Sequence, residues 1–379
     1  MPDDVNLWTS MTKFIEKPVI LDTSESISKI VFESLQEANI NYTILSENLE
    51  DWIEKDKREV IAELNASANK TTTDFEKYYP YETILKILDS IRVQHPKLAK
   101  LYSIGETLES RTIPLLILDN EFKSNSKNNN KSAVIFECGI HAREWISPAA
   151  CLWFINAFIT TKQGMSVLEK FRLHFVPVLN PDGYAYTWNV NRLWRKNRAF
   201  TDNKKCVGVD LNRNFDVDFC KTGASKNACD QDYCGQYAFS ERETQSMRDH
   251  IFHTLRTRKI EMYFAIHSFS QLWMFPFGFT YALPNRLDQY EMYSQIAIQT
   301  IYNTSRQIYN YGSTINVMSY KVSGASDDWM QFNNFSKFNF ALELRDKGNY
   351  GFLLPSKFIK PTAEEIWNAI NAVLIECKL

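Results

Sequence analysis

The sequence lacks a strong charge of either sign: 43 Lys and Arg stand against 45 Asp and Glu, for a formal net charge of −2. That balance argues against a nucleic-acid binder, which carries a basic excess. No apolar run is long enough to span a bilayer, so no transmembrane helix and no membrane partner are expected. The first residues, MPDDVNLWTS, hold neither a basic stretch nor an apolar one, and no signal peptide is expected within this chain. Internal repeats are absent. So is any CxxC pair among the seven cysteines, which weakens a zinc-knuckle reading.

What is present points to a packed enzyme-sized protein. The chain has 379 residues, 44% hydrophobic and 14% aromatic, enough for one large domain and a smaller one. Cys206, Cys220, Cys229 and Cys234 crowd together beside Gly, Asn and Asp. Disulfides account for them better than a metal does. Six of the seven cysteines would pair, with Cys377 left over, and the residues alone leave the connectivity open. Sequons begin at Asn41, Asn65, Asn69, Asn130, Asn303 and Asn334, each a weak signal by itself. Together with the cysteines they predict a secreted protein.

Periodicity divides the chain. Residues 19–22 and 41–46 read as strands, and 24–38 and 49–64 as amphipathic helices, which makes a small α+β segment. A polar stretch, residues 65–73 (NASANKTTT), follows and should be open to proteolysis. Beyond it, strands are predicted at 113–119, 133–137, 173–179, 261–266 and 338–344. Helices are predicted at 83–95, 148–161, 240–255, 286–308 and 361–375. Ser240 with Glu243 and Thr362 with Glu365 read as capping boxes. Strands alternating with helices give an α/β domain with a mixed, largely parallel central sheet flanked by helices.

The sharpest chemical feature is His141-Ala142-Arg143-Glu144-Trp145, directly after a buried strand. A His and a Glu three apart in such a turn can converge on one zinc ion, which accepts imidazole nitrogen and carboxylate oxygen. HxxE alone is weak and needs a third ligand from another strand end. His267, closing the strand at 261–266, is the candidate. His95, His174, His250 and His253 fit ordinary surface or core positions better. Two further clusters, residues 191–198 and 210–214, hold arginines suited to carboxylate or oxyanion binding, although Arg192, Lys196 and Arg198 could be only a solvated basic face. Glu343-Leu344-Arg345-Asp346 places a carboxylate at a strand end, either paired with an arginine or poised as a general base.

Taken together, HAREW, NRLWRK, VGVDLNRNF, HSFSQ, GASDDW, LELRDKG and YGFLLP resemble the zinc metallocarboxypeptidases of the pancreatic A/B type, over nearly the whole chain from about Val19 onward. The resemblance implies His141, Glu144 and His267 as ligands of one zinc per chain, Glu343 as general base and Arg195 as the group that polarises the scissile carbonyl. It implies that Asn212, Arg213 and Tyr320 grip the substrate's terminal carboxylate and that Arg143 binds upstream residues. It implies the pairs Cys138–Cys151, Cys206–Cys229 and Cys220–Cys234. Residues 1–70 then correspond to an inhibitory pro-segment, shortened at its N-terminal strand region, and 71–379 to the catalytic domain. A trypsin-like protease is expected to cut after Lys70, and the product to be a monomer acting on peptides with free C-termini. Asp327 occupies the position whose acidic residue gives B-type enzymes their taste for C-terminal Lys and Arg; A-type enzymes have an apolar residue there. A silent peptide-binding relative would lack a ligand or the base, and none is missing. Three departures stand out. Phe269 replaces the usual Tyr, Ala325 replaces a Gly, and Ile315 sits where B-type enzymes keep a small residue and should narrow the pocket. One extra residue falls between Trp329 and Glu343, in the Asn333-Asn334 turn.

Overall fold

The computed structural model describes residues 5–8, 19–67, 73–123 and 131–377. Its strands in chain order are β1 (Val5–Leu7), β2 (Leu21–Thr23), β3 (Ala99–Glu106), β4 (Thr112–Leu118), β5 (Ser132–Cys138), β6 (Phe171–Val176), β7 (Ile260–Ser268), β8 (Leu272–Phe275), β9 (Asn310–Ser313) and β10 (Ser336–Leu344). β1 and β2 form a small antiparallel pair. The other eight make one sheet in the order β3-β4-β6-β5-β7-β10-β8-β9. The centre, β6-β5-β7-β10, is parallel. β4 runs against both β3 and β6, and β8 runs against β10 but parallel to β9, so the sheet is mixed, as expected.

Central strands buried on both faces read as near-continuous apolar runs. β5 is SAVIFEC, buried from Ala133 to Cys138, and every residue of β7 is buried. One face packs against helices Tyr81–Gln94, Ile146–Thr160, Leu287–Ser305 and Ile359–Glu376. Helix Ile146–Thr160 is apolar all round because it is enclosed on every side. The opposite face packs against Arg242–Leu255 and Ser326–Phe332. Parallel strands put their C-terminal ends on one edge of the sheet, which is where a ligand site belongs in such a fold.

Several local expectations are corrected. Residues 41–46 form no strand; they lie exposed beside helix Glu25–Glu37, where the Tyr42 ring stacks on Phe32, with no strand to pair with. Neither capping box forms. Ser240 Oγ donates to Glu241 Oε1 (2.6 Å), while Asn214 Oδ1 accepts from Glu241 N (3.2 Å) and from Thr244 Oγ1 (2.7 Å) at the start of helix Arg242–Leu255. The last helix starts at Ile359, so Thr362 lies inside it and Glu365 is engaged by Arg345 instead. Cys206–Cys229 and Cys220–Cys234 are disulfides. Cys138 and Cys151 are not. They are buried neighbouring thiols in hydrogen-bonding contact between β5 and helix Ile146–Thr160, where they fill the core as small apolar side chains. Cys377 is free and buried, as expected.

The N-terminal region, 5–8 and 19–67, lies against the body. Helix Leu49–Ser67 extends three residues into the stretch expected to be a linker; residues 68–72 of that linker, with Asn69 and Lys70, lie outside the described residues, as does Asn130. Trp8 joins Leu193, Phe269, Phe352 and Leu353 in a cluster onto which Ile20, Leu49, Trp52 and Ile53 pack. Asp56 faces the buried Arg192 at 3.7 Å.

Candidate functional site

Three strand ends meet at one point. β5 ends at Cys138 and the chain turns at Gly139, whose φ of +64° favours glycine and whose neighbours Pro148 and Val178 would crowd a side chain. Ser147 ties this turn to the adjacent strand, its Oγ accepting from Gly139 N (3.0 Å) and donating to Ile266 O (2.5 Å). Asn180 holds the same loop, its Nδ2 donating to Ile140 O and Lys196 O, both at 3.1 Å. The turn presents His141 and Glu144. β7 delivers His267 near its end, and β10, in register with it, sets Glu343 opposite His267.

His141, Glu144 and His267 are buried, and their ligand atoms lie within 4.8 Å of one another. His141 Nδ1 is 2.7 Å from Glu144 Oε1, and His267 Nδ1 is 3.3 Å from Glu144 Oε2. Two imidazoles and a carboxylate form the donor set of a three-ligand catalytic zinc site. Beside them Glu343 Oε2 is buried with no hydrogen-bond partner among the described residues, the state of a group whose partner is a ligand. The residues therefore fit a zinc ion. Burial works to raise the Glu144 carboxyl, but His141 and His267 prevail and hold it well below the carboxylate range. Burial, reinforced by Glu144, pushes Glu343 up to about 8.

The arginine that follows Glu343 in sequence pairs elsewhere. Arg345 turns away to Glu365, with Nε at 2.8 Å from Oε1 and Nη2 on Oε2, and Tyr309 OH donates to the same carboxylate at 2.9 Å. Glu343 is thus not a structural partner of that arginine. Arg195 faces the cavity but is held by Asp210, with Nε and Nη2 donating to Oδ2 at 3.0 and 2.8 Å. Asp210 Oδ1 also sits 3.1 Å from His141 Nε2. Sequence reasoning quoted Asp210 inside the DLNRNF motif without giving it a task. The signal available was a buried acid flanked by arginines, which needs a cationic or imidazole partner.

A cavity of about 330 Å³ opens here, lined by His141, Glu144, Arg195, Asn212, Arg213, His267, Tyr320, Asp327 and Glu343 among others. Arg213 Nε donates to Gly223 O (2.8 Å) and Nη1 to Asn212 O (2.9 Å), which fixes the guanidinium plane. Asn212 Oδ1 accepts from Ser326 N (2.9 Å). Asp327 is 4% exposed and its Oδ2 has no hydrogen-bond partner among the described residues, whereas its neighbour Asp328 is spent on the backbone of Gly278 and Phe279. Burial raises the Asp327 carboxyl. Ile315 is buried but not part of the lining; Thr314, Met318 and Val322 of the same stretch are. Arg143 is buried beside the cluster with its guanidinium 4.1 Å over the Phe352 ring. Phe352, Phe269, Lys347 and, from the N-terminal region, Trp8 and Val19 complete the wall; sequence reading had given Phe352, Lys347 and Trp8 no role there.

Residues 84–369 match the family model described as zinc carboxypeptidase. Carboxypeptidase B of Bos taurus is 37% identical over 348 residues, covering 90% of this chain and 79% of the relative. Carboxypeptidase A1 of Bos taurus is 35% identical over 348 residues, covering 90% and 80%. Among solved structures, thrombin-activatable fibrinolysis inhibitor aligns with a TM-score of 0.87 at 31% identity, covering 99% of this chain and 92% of that one. Carboxypeptidase A from Helicoverpa armigera aligns with a TM-score of 0.86 at 26% identity and the same coverage.

Proposed function

The chain belongs to the zinc carboxypeptidase family, and we propose on that premise that it removes C-terminal Lys and Arg from peptides and proteins after release of an N-terminal inhibitory segment. The observation that carries the specificity is Asp327, a buried carboxylate on the cavity wall, one oxygen of which has no hydrogen-bond partner among the described residues. Such a group favours a cationic side chain that restores its lost interactions; an apolar side chain would leave it unpaired, at a cost of about 1–3 kcal/mol.

His141, Glu144 and His267 would hold the zinc ion, which when bound polarises the scissile carbonyl and acidifies water at that point. Glu343, with its raised proton affinity, takes the proton from the attacking water and passes it to the leaving amine. Arg195, oriented by Asp210, donates to the oxyanion as it develops. Arg213, Asn212 and Tyr320 anchor the terminal carboxylate, so only the last peptide bond reaches Glu343. Trp8 and Val19 lie in the cavity lining, which supports an inhibitory role for residues 1–70, with cleavage after Lys70 by a trypsin-like protease. The two disulfides support secretion. We propose a monomer.

An assay with peptides ending in Lys, Arg, Phe and Leu, before and after trypsin and with or without chelator, tests this. Activity should need metal, rise after trypsin and favour Lys and Arg; Asp327→Ile should move the preference to apolar residues. The apolar lining from Leu272, Met274, Val322 and Ala341 favours a second reading, A-type preference. Faster release of Phe or Leu by the unaltered enzyme would establish it.

A further inference from the structure

Glu137 is a buried carboxylate to which the chemistry described so far gives no task. It is the penultimate residue of β5 and is fully buried. Among the described residues no cation pairs with it. Its oxygens accept from two hydroxyls instead, Oε2 from Tyr263 OH at 2.5 Å and Oε1 from Ser326 Oγ at 3.2 Å. Burying a carboxylate is costly, and an apolar residue of similar volume would serve the core as well. What sets this position apart is the residue it holds.

Tyr263 on β7 pairs with Ile135, two residues before Glu137, so both side chains emerge on the face covered by helix Ser326–Phe332. Ser326 opens that helix and is fixed at two points: its Oγ donates to Glu137, and its N donates to Asn212 Oδ1 at 2.9 Å. On the other side of Asp327, Asp328 accepts from Gly278 N at 2.8 Å and from Phe279 N at 3.1 Å. Asp327 is therefore clamped between two tethered neighbours. Of these residues Asp327 and Asn212 line the cavity, whereas Glu137, Tyr263 and Ser326 do not. We infer that Glu137 is a positioning residue for substrate selection: oriented by Tyr263 and acting through Ser326, it fixes Asp327 where the basic side chain of the C-terminal residue reaches it. This rests on the reading of Asp327 as the residue that selects C-terminal Lys and Arg.

Two peptides that differ only in a C-terminal Lys or Phe test it, with the full chain treated with trypsin and the trypsin then inhibited. Ser326→Ala deletes the donor, and Glu137→Met fills the volume without an acceptor. Each should raise KM for the Lys peptide about fivefold, the worth of one buried hydrogen bond, with kcat near that of the parent. KM for the Phe peptide should stay put, so the preference for Lys falls by the same factor. The double variant should lose no more than either single one, since both cut the same link. Should Glu137→Met fail to fold, Tyr263→Phe, which removes the donor that orients the carboxylate, is read in its place and should shift KM in the same direction. Parent values of KM and preference in Ser326→Ala overturn the inference. So do an equal loss on both peptides, a fall in kcat at unchanged KM, and additive losses in the double variant. In each of those cases a parent that prefers Lys keeps the reading of Asp327 standing; a parent that releases Phe faster overturns both.

Discussion

The N-terminal helix Glu25–Glu37 buries none of its residues, and Ile30 is 60% exposed. Helix Ile146–Thr160 in the body buries nearly all of its own, with Phe154 and Ile155 at 0% exposure. The two sequences are both helical, so the contrast is one of tertiary packing. The body is held by a two-sided core around a single sheet. The N-terminal region packs on the body through the cluster around Trp8 and through Val60, which joins the main core, with Asp56 against Arg192, Ser356 Oγ on Glu63 (2.7 Å) and Lys77 Nζ on Glu63 O (2.5 Å) among its polar contacts.

The largest expected effect falls in the body. Glu343→Gln keeps the shape of the side chain but cannot accept a proton, and kcat should drop by about 10²–10⁴. Metal analysis should find zinc retained; turnover near that of the parent would assign Glu343 to structure. Next is the buried network behind β10, where Arg345, Tyr309 and Ser305 converge on Glu365. Arg345→Met leaves that carboxylate buried and unpaired, a loss of about 3–5 kcal/mol in denaturant unfolding of the body. A loss below 1 kcal/mol, roughly the worth of an exposed pair, would mean the network is solvated.

A third outcome uses pH. His174 Nδ1 lies 3.2 Å from His250 Nε2 in the body. Burial, then His253, brings His250 down to about 4; burial, then His250, holds His174 well below its usual value, with Arg172 and Arg258 adding to the effect. In the unfolded chain both titrate near 6.5. Between about 6.5 and 4 the unfolded state therefore binds more protons, so stability is full above that window and falls as pH drops through it. The slope is about 1.4 kcal/mol per pH unit for each histidine. Equilibrium unfolding at pH 7 and 5 should show it, and His250→Gln should flatten it. The smallest effect belongs to the N-terminal region. Trp8→Ala should raise the peptidase activity of the uncleaved chain about tenfold, equivalent to roughly 1.4 kcal/mol of docking, while the unfolding midpoint of the body stays put. A body destabilised by Trp8→Ala would erase the distinction between the two regions.

How legible each region was follows from the same contrast. β5, β7 and β10 could be read because burial on both faces leaves an apolar run. β8 and β9 have four residues each, and β3 is half exposed with a mixed pattern, so none gave a period to detect. His141, Glu144 and His267 were legible as strand-end residues with ligand chemistry, and the structure brings them together. The covalent link expected between Cys138 and Cys151 is absent, since two thiols and a disulfide leave the same trace in a buried sequence. The resemblance implied Ile315 as a pocket residue from its place in the chain, but it is buried outside the cavity lining, a matter of side-chain placement that no local pattern reveals. Contacts between distant segments, such as Asp210 with His141 or Trp8 with Phe352, have no local period at all.

The pairing of β10 with β7 runs from Ser336 against Ile260 to Leu344 against Ser268. Side chains alternate between faces along a strand, so a one-residue shift anywhere in this ladder would carry Glu343 to the wrong side of the sheet. Length changes along this part of the chain are therefore not equivalent. One added residue before the ladder, where Asn334 adopts a φ of 54° between helix Ser326–Phe332 and β10, alters only a turn. The same residue added between Phe338 and Glu343 would leave a folded sheet with the carboxylate pointing into the core. Natural and engineered insertions should accumulate at Asn333–Asn334 and be missing from the strand.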